Sequence, residues 1–537
     1  MSERLSVLDL RSLSSVDSST VRGFMSTVNS RGSGVLLSRI DEASGQPVLL
    51  GDALNRVQAV ALHTICDHHN HPGIYGMVKA AVPIWLSETD SKELILAKIK
   101  QRAEEGPDGP IIAGTYGMNA GITNKDLDGL GLNRSILLMS TSLHGGVATS
   151  DILGELDKRH TDTAIPGELS SNGEITEFYF WNALGIIEEQ MMDRLVDGIV
   201  SWTLERIYEG TTTIIERSII TKSEWEALKQ AIPRLKEIIG YNPIPEVYFL
   251  YDTFRYDLGR CAQEARDLGI LPGVKWVGDG GTTTQTAALE HYSFTHPLHP
   301  KGLPTMIPIN YSDPEAVQTY LKELKVAGIR DMTFHAIGDK TIGIALSLAQ
   351  IILDAKINLT IAHFELPTSK QIHYAAVLAW SGLQIDMEPP YNSEAPRYNG
   401  VLDHLVKFNN PIGLVILELK RVELVPSAYL RFGTDGMPNH QLFSLLAAMG
   451  HQVPENRVTA SEFYASASDR RFLSDGFVLV DARAYKSLLD SAVNPDVAAN
   501  LFTNMNRTVV DLQESVLAVA ANNRVLYEKP GFNLCPR

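Results

Sequence analysis

Eight short, apolar, β-branched segments alternate with segments of helical periodicity, and this rhythm predicts an α/β protein built on a TIM (β/α)8 barrel. Strands that alternate with helices form parallel sheets, and eight such units close into a barrel. The intervening segments carry helical patterns at residues 223–239, 312–328, 339–355 and 368–382, and the second of these begins with Ser-Asp followed by Pro314. The predicted strands begin with the segment ICDHHNH at residue 65 and continue at residues 211–217, 246–252, 273–280, 332–338, 359–364, 383–389 and 429–435.

A large insertion, at about residues 80–205, interrupts the barrel pattern after its first strand. It has helix and strand patterns of its own, and a segment of this size on the catalytic side of a barrel commonly forms a lid or pocket wall. For its aromatic cluster at residues 178–181, core packing is favoured over a substrate-facing wall.

Both chain ends carry strand patterns, at residues 34–51, 476–485 and 514–531, and the first of these predicts a hairpin with SGQP as its turn. We therefore expect a small β domain formed by residues 1–60 and 472–537. The barrel, with its insertion, would then occupy residues 61–471.

Composition restricts the class of protein. The 537 residues are 44% hydrophobic and 20% charged, which is typical of a globular chain with a large core. The net charge of −16 argues against nucleic acid as a partner and leaves a small molecule as the expected substrate. Three scattered cysteines do not form a disulfide framework, and no apolar run approaches the length of a membrane span. We expect a cytoplasmic protein with no membrane contact.

The first predicted strand ends in a group of candidate metal ligands. Alternate residues of a strand share a face, so Asp67, His69 and His71 point one way and His68 points the other. Two imidazoles on one face can hold a divalent metal, whereas a polar surface loop is the competing interpretation. If this strand binds a metal, Asp67 orients one of the metal ligands without binding the metal itself, and His68 packs on the opposite face of the strand.

Four later strands also end in polar residues, namely Lys275, His335, His363 and Asp435. In a closed barrel these ends converge on one rim with His69 and His71, so residues remote in sequence become neighbours. Four imidazoles and one carboxylate suit zinc and would tolerate iron or manganese. A lysine ammonium is not a ligand unless carbon dioxide converts it into a carbamate, so Lys275 is either a carbamate ligand or a structural lysine.

The order of these motifs resembles the amidohydrolase superfamily, and within it the third amidohydrolase family of N-substituted formamide deformylase-like metal-dependent hydrolases. The resemblance covers roughly residues 60–440 and is carried by Asp-x-His-x-His at residues 67–71, VKWVGDGGTTTQTAALEHY, FHAIGDKTIGIAL, TIAHFE and FGTD, with DLDGLGLNRSILLMSTSLHGG in the insertion. It departs from the family at Glu388-Pro389, where glutamine-proline is usual, at the phrase RRFLSDGFVLVDARAY, and in the N-terminal region.

The resemblance implies a metal centre with assigned ligands. His69, His71 and Asp435 would bind the more buried metal, and His335 and His363 would bind a second one. Carboxylated Lys275 would bridge the two, although a single metal is also found among similar proteins.

The reaction implied is hydrolysis of the carbon–nitrogen bond of an amide, formamide or cyclic amide by a metal-activated water. Asp435 would take the proton of the water, and His144, which matches a pocket histidine of the family, or a histidine of the metal site would steady the oxyanion. His144, Glu388 and Arg397 are candidates for shaping the pocket, whereas Asp279 and Asp339 are expected to order loops.

Two other functions remain open at this point, a non-hydrolytic decarboxylase or isomerase on the same metal site and a catalytically silent binding protein. A homodimer is also open, by analogy with barrels of this type.

Overall fold

Twenty strands and fifteen α-helices make up the described part of the computed structural model. The structure describes residues 5–9, 35–40, 47–49, 59–86, 90–106, 108–116, 121–140, 143–159, 167–295, 300–393, 402, 409–436, 441–451, 453–467, 477–481, 484, 487, 512–521 and 524–529. The strands are β1 Leu5–Asp9, β2 Val35–Ile40, β3 Pro47–Leu49, β4 Ala59–His63, β5 Ile65–Asn70, β6 Val82–Trp85, β7 Ile111–Tyr116, β8 Ile136–Ser140, β9 Gly145–Ala148, β10 Glu174–Thr176, β11 Thr211–Ile219, β12 Glu246–Leu250, β13 Leu271–Val277, β14 Asp331–Ala336, β15 Asn358–His363, β16 Gln384–Met387, β17 Leu430–Phe432, β18 Phe477–Asp481, β19 Val516–Ala521 and β20 Arg524–Glu528. The helices are α1 Pro72–Ala80, α2 Lys92–Glu105, α3 Asn124–Asp128, α4 Ser150–Arg159, α5 Glu177–Glu189, α6 Met192–Tyr208, α7 Lys222–Ile239, α8 Tyr251–Phe254, α9 Leu258–Asp267, α10 Pro314–Val326, α11 Asp339–Asp354, α12 Ser369–Ala379, α13 Ile412–Arg421, α14 Gln441–Met449 and α15 Ala460–Ser466.

The central sheet contains the eight strands that the sequence predicts. Their order is β5, then β11 through β17, and every neighbouring pair is parallel. These strands are almost wholly buried, which explains why they read as continuous apolar runs and not as alternating patterns. The predicted TIM barrel is confirmed.

The barrel is closed where its last strand reaches its first. Beyond β17, the backbone N–H groups of Thr434 and Asp435 both donate to the carbonyl oxygen of His69, at 3.0 and 2.7 Å. Gly433 passes so close that an added Cβ would lie 2.3 Å from the Cβ of His69. Closure therefore requires glycine at this position and brings Asp435 beside the histidines of β5.

Helices cover the outside of the barrel. The predicted helices at 223–239, 312–328, 339–355 and 368–382 correspond to α7, α10, α11 and α12, and α7 continues through Pro233 without ending. Capping boxes begin α7 at Thr221 and α12 at Thr368, which satisfies backbone N–H groups that a helix start leaves free. Within the described residues, the structure contains no helix that is both long and apolar enough to cross a membrane.

The insertion after β5 has its own sheet and joins the barrel through helices. Strands β6, β7 and β8 run parallel, and β9 and β10 complete this five-stranded sheet in antiparallel fashion. Helix α6 returns the chain to β11 and packs closely on α1, where Gly76 and Gly198 let the two backbones approach. The insertion therefore packs against the barrel, with β9, β10 and α5 as its last elements before α6.

Two further sheets lie at the chain ends. Strands β1, β2 and β3 form one antiparallel sheet, and the predicted hairpin at residues 34–51 corresponds to β2 and β3. The C-terminal strands β18, β19 and β20 pair with β4, immediately before the barrel, in a second sheet. The terminal segments thus form small separate sheets beside the barrel, while the domain boundaries at residues 60 and 472 remain a prediction.

We predict opposite effects of the same substitution at two glycines. Gly433→Ala should lower the free energy of unfolding by about 2 kcal/mol, because the new methyl group overlaps the backbone and Cβ of His69. Gly154→Ala, on the exposed side of α4 with no atom within 4 Å, should raise it by about 0.5–1 kcal/mol. Thermal unfolding of both variants checks this, and a harmless Gly433→Ala would contradict the described closure.

Candidate metal centre

Asp435 contacts both histidines of the first barrel strand. Its Oδ1 lies 2.9 Å from Nε2 of His71, which donates a hydrogen bond to it, and 3.3 Å from Nε2 of His69. All three side chains are buried, and their ligand atoms lie within 4.8 Å of one another. The structure therefore brings together the three residues expected to bind the more buried metal.

A second cluster shares His69 with the first. The carboxylate of Glu388 places Oε1 2.9 Å from Nδ1 of His69 and Oε2 3.1 Å from Nδ1 of His363. Glu388 directly follows the end of β16, and it is 1% exposed. Sequence analysis noted this residue as a departure from glutamine and as a candidate for shaping the pocket, and gave it no role in metal binding.

Lys275 and His335 complete the set of six predicted ligands. On β13, the Nζ of Lys275 lies 3.4 Å from Nε2 of His69. On β14, the ring centroid of His335 lies 4.4 Å from that of His363. The six residues therefore meet at one end of the barrel, although His335 falls outside both tight ligand clusters.

A small cavity lies between these residues and the insertion. Its volume is about 40 Å³, enough for a water-sized group. Its lining combines site residues with apolar side chains, namely His71, Ile74, Leu143, His144, Trp181, Ser218, Ile220, Leu250, Lys275, Val277, His335, His363 and Asp435.

Burial determines the charge states of the site. It lowers the pKa of His69 and of His335 well below the usual range and that of His363 to about 3, so each of these imidazoles is neutral at neutral pH and has one nitrogen without a proton. Burial also raises the pKa of Glu388, and Asp435 and Asp386 raise it further. For Asp435, burial acts upward, but the hydrogen bond from His71 and the nearby imidazoles outweigh it and hold the pKa below its usual range.

Lys275 is the cationic residue of the site. Burial lowers the pKa of its ammonium to about 8, against the opposing pull of Asp435. A substantial neutral fraction of the amine is therefore present slightly above neutral pH. Only the neutral amine can react with carbon dioxide, so this environment is compatible with a carbamate.

These residues fit a divalent metal. Imidazole nitrogens and carboxylate oxygens are zinc ligands, and atoms about 2.1 Å from a metal lie about 3.0–3.4 Å from one another for right-angled to tetrahedral coordination, close to the observed separations of 2.9, 3.1 and 3.3 Å. Several buried atoms here form no aligned hydrogen bond within the described residues, namely Nδ1 of His69, Nδ1 of His363, Nε2 of His335 and Oε1 of Glu388. Buried polar atoms normally have partners, and a bound cation would supply them.

Carboxylates behind the histidines orient them. Glu216 on β11 lies 3.2 Å from Nδ1 of His71, so the other ring nitrogen of His71 faces Asp435. Tyr391 donates a short hydrogen bond to Asp435. Asp67 accepts from the backbone N–H groups of His69 and Thr434, at 3.2 and 3.0 Å, so it supports the site as expected, through the backbone and not through an imidazole.

The insertion contributes His144 to the cavity. Its ring lies 4.9 Å from that of His335, and its Nδ1 lies 2.7 Å from Oε2 of Glu177. Burial acts to lower the pKa of His144, but the carboxylate of Glu177 outweighs this and raises it. His144 is thus beside the metal centre, as the family resemblance implies.

The aromatic cluster at residues 178–181 has two environments. Phe180 is fully buried in the core, which agrees with the favoured prediction. Trp181 lines the cavity, where its indole lies edge-on to His144 with centroids 6.1 Å apart. Trp181 is therefore packed in the core, as expected, and it also lines the cavity, because one helix of the insertion presents successive residues to both.

The two loop aspartates order backbone, as predicted. Asp279 accepts from the N–H groups of Ala288, Ile337 and Gly338 at 2.8–3.1 Å. Asp339 accepts from the N–H groups of Glu290 and His291.

His68 is buried beside Cys66 and is not among the residues that line the cavity, as expected for a side chain on the other face of the strand. Arg397 lies outside the described residues.

The residues missed by sequence analysis are Glu216, Glu388 as a possible ligand, Tyr391 and Glu177. Glu216 lies near the end of the strand predicted at residues 211–217, so the rule that found Lys275 and His335 would have found it too. Tyr391 and Glu177 lie outside the barrel strands, and nothing in their sequence surroundings marked them.

Comparison with solved structures supports the fold. A metal-dependent hydrolase of Pyrococcus furiosus matches with a TM-score of 0.56 at 19% identity, covering 84% of this chain and 96% of that one. Guanine deaminase from C. acetobutylicum matches with a TM-score of 0.41 at 8% identity, over 93% of this chain and 97% of that one. No family model and no curated protein matches the sequence. The match with a TM-score of 0.56 shows that the two chains share a fold, and membership of the amidohydrolase superfamily and of its narrower family stays a prediction.

We predict that Glu388→Gln weakens zinc binding by at least about 10-fold, because even partners that only orient metal ligands commonly contribute 10–100-fold. Competition with a chromophoric chelator measures the affinity. Glu246→Gln, which neutralises a buried carboxylate at the start of β12 and thus at the opposite end of the barrel, is the matched control and should bind zinc like the parent. Unchanged affinity in Glu388→Gln would remove Glu388 from the metal centre.

Proposed function

We propose that this protein is a metal-dependent hydrolase that cleaves the carbon–nitrogen bond of an amide, formamide or cyclic amide. The observation that carries the proposal is the convergence of six candidate ligands, from five strands or strand ends, at one end of the barrel. Five of them line one small cavity, and the sixth, His69, contacts Asp435 and Lys275 beside it. The fold similarity to the metal-dependent hydrolase of Pyrococcus furiosus supports hydrolysis as the type of reaction.

The proposed metal is zinc, as one or two ions. His69, His71 and Asp435 would hold one ion, and His335 and His363 a second, with Glu388 contributing through its contacts to His69 and His363. Lys275, carboxylated, would bridge the two. Loading a metal on His71 requires its proton to leave, because hydrogen bonds to Asp435 and Glu216 outweigh burial and raise its pKa.

Each residue around the cavity would have a defined task. The metal, when bound, supplies a nucleophilic water at neutral pH and polarises the carbonyl group. Asp435 accepts a proton from the attacking water and delivers it to the leaving nitrogen, so the water oxygen joins the carbonyl carbon as the carbon–nitrogen bond breaks. His144 donates a hydrogen bond from Nε2 to the carbonyl oxygen as its negative charge develops.

Product analysis tests the reaction. Zinc-loaded protein should release an amine and a carboxylic acid from a panel of N-substituted formamides and amides, or open cyclic amides with uptake of water. Asp435→Asn should reduce the rate by at least about 10²-fold, because general acid–base catalysis contributes 10²–10⁴-fold. Release of carbon dioxide, or rearrangement without water uptake, would instead identify a decarboxylase or isomerase, and no turnover of any probe would favour a silent binding protein.

Bicarbonate dependence tests the carbamate. Metal-free protein that is reloaded with zinc should gain more activity in the presence of bicarbonate than in its absence, and ¹³C-labelled bicarbonate should give a carbamate signal that Lys275→Ala lacks. Full activity without bicarbonate and no labelled signal would leave Lys275 as an ordinary lysine, without contradicting hydrolysis itself.

A further inference from the structure

We infer that Glu177 is a positioning residue, which holds His144 in the orientation needed to contact the substrate. The inference rests on the proposed function and extends it to a residue of the insertion. Glu177 lies at the start of α5, outside the barrel, and none of the predicted ligands contacts it through a hydrogen bond or ion pair in the described residues.

Strand pairing in the insertion places Glu177 beside His144. Strand β10 pairs with β9 in antiparallel fashion, and Thr176 is opposite Gly145. Glu177, which follows Thr176, is therefore opposite His144, which precedes Gly145. The backbone N–H of Glu177 donates to the carbonyl oxygen of His144 at 3.0 Å, while Nδ1 of His144 lies 2.7 Å from Oε2 of Glu177. Two contacts between the same two residues fix the imidazole, because both its backbone and its ring are held.

The backbone of Glu177 is in an unfavourable conformation. Its φ is +50°, in the left-handed region that residues with a Cβ rarely occupy. Such strain persists where the surrounding structure imposes it, and it is concentrated at functional sites. A glycine would relieve this strain, yet the position holds a glutamate with a fully buried side chain.

The barrel makes room for this carboxylate. A Cβ added to Gly280, in the loop after β13, would lie 2.3 Å from Oε1 of Glu177. Gly280 belongs to the same segment, VKWVGDGG, that carries Lys275. The carboxylate therefore occupies a space left by a barrel loop, so the insertion and barrel meet at the residue that holds His144.

This contact determines which nitrogen of His144 remains available. Because Nδ1 is engaged by Glu177, only Nε2 is left to bind a group in the cavity that His144 lines. Without the carboxylate the ring could rotate or exchange tautomers, and the hydrogen bond to the substrate oxygen would be lost. The effect should fall on the chemical step more than on substrate binding.

Glu177→Gln tests the inference, because it keeps the length and shape of the side chain and removes its charge. The control is Glu174→Gln, in β10 and partly exposed. We expect Glu177→Gln to lower kcat on the order of 10²-fold with KM changed by less than about threefold, as when one oxyanion donor is lost. The control should retain the kcat of the parent.

A proton NMR spectrum provides a readout that does not need a substrate. A hydrogen-bonded imidazole N–H shared with a buried carboxylate exchanges slowly and resonates far downfield. The resonance of His144, assigned by its loss in His144→Asn, should disappear in Glu177→Gln and persist in Glu174→Gln. The corresponding resonance of His71 with Glu216 is an internal reference for folding.

The outcomes separate the possible explanations. Loss of the His144 resonance together with lower kcat supports positioning. Normal kcat in Glu177→Gln, with or without a lower unfolding temperature, would overturn it and leave Glu177 as a purely structural residue. If the parent hydrolyses nothing, the proposed function fails, yet persistence of the His144 resonance in Glu177→Gln would still overturn the positioning role.

Discussion

The carbonyl oxygen of His69 is the point on which the rest of the structure depends. It accepts the backbone N–H groups of Thr434 and Asp435, and these two bonds close the barrel. The same contact fixes the separation between the first strand and the last, so Asp435 meets His69 and His71 only because the sheet closes there. Asp67 reinforces the contact by accepting from Thr434 as well as from His69. Closure and the candidate metal centre are therefore one arrangement.

Charge balance at the site depends on burial. Asp435 and Glu388 both lie beside the neutral imidazole of His69, and their pKa values shift in opposite directions. The pKa of Asp435 is lowered by its hydrogen bond from His71, and that of Glu388 is raised by desolvation and by its acidic neighbours. Among the residues that line the cavity, Lys275 is the one lysine, and burial lowers the pKa of its ammonium to about 8. Such a site accommodates a divalent cation because the cation would stabilise both carboxylates in their charged forms and satisfy the unprotonated nitrogens.

Sequence reasoning found the barrel and the six predicted ligands because both follow from periodicity and from strand ends converging on one rim. Glu388 was noticed but not placed in the centre, since the family pattern offered no role for a carboxylate after the seventh strand. Glu177 could not be found, because its contact with His144 depends on the register of β9 with β10 and on the space left by Gly280. Neither constraint has a local signature in the sequence. The pairing of β18 with β4 also depends on a contact between segments remote in sequence, so the sequence patterns did not specify this partner.

Metal content is the measurement that tests the account most directly. Protein purified without added metal, and again after incubation with zinc and bicarbonate, can be analysed by plasma mass spectrometry beside a His69→Ala/His71→Ala double variant. The account predicts one or two equivalents of zinc, iron or manganese in the parent and loss of metal in the folded double variant. A parent that remains metal-free after both treatments, or a double variant that keeps the full metal content, would contradict it.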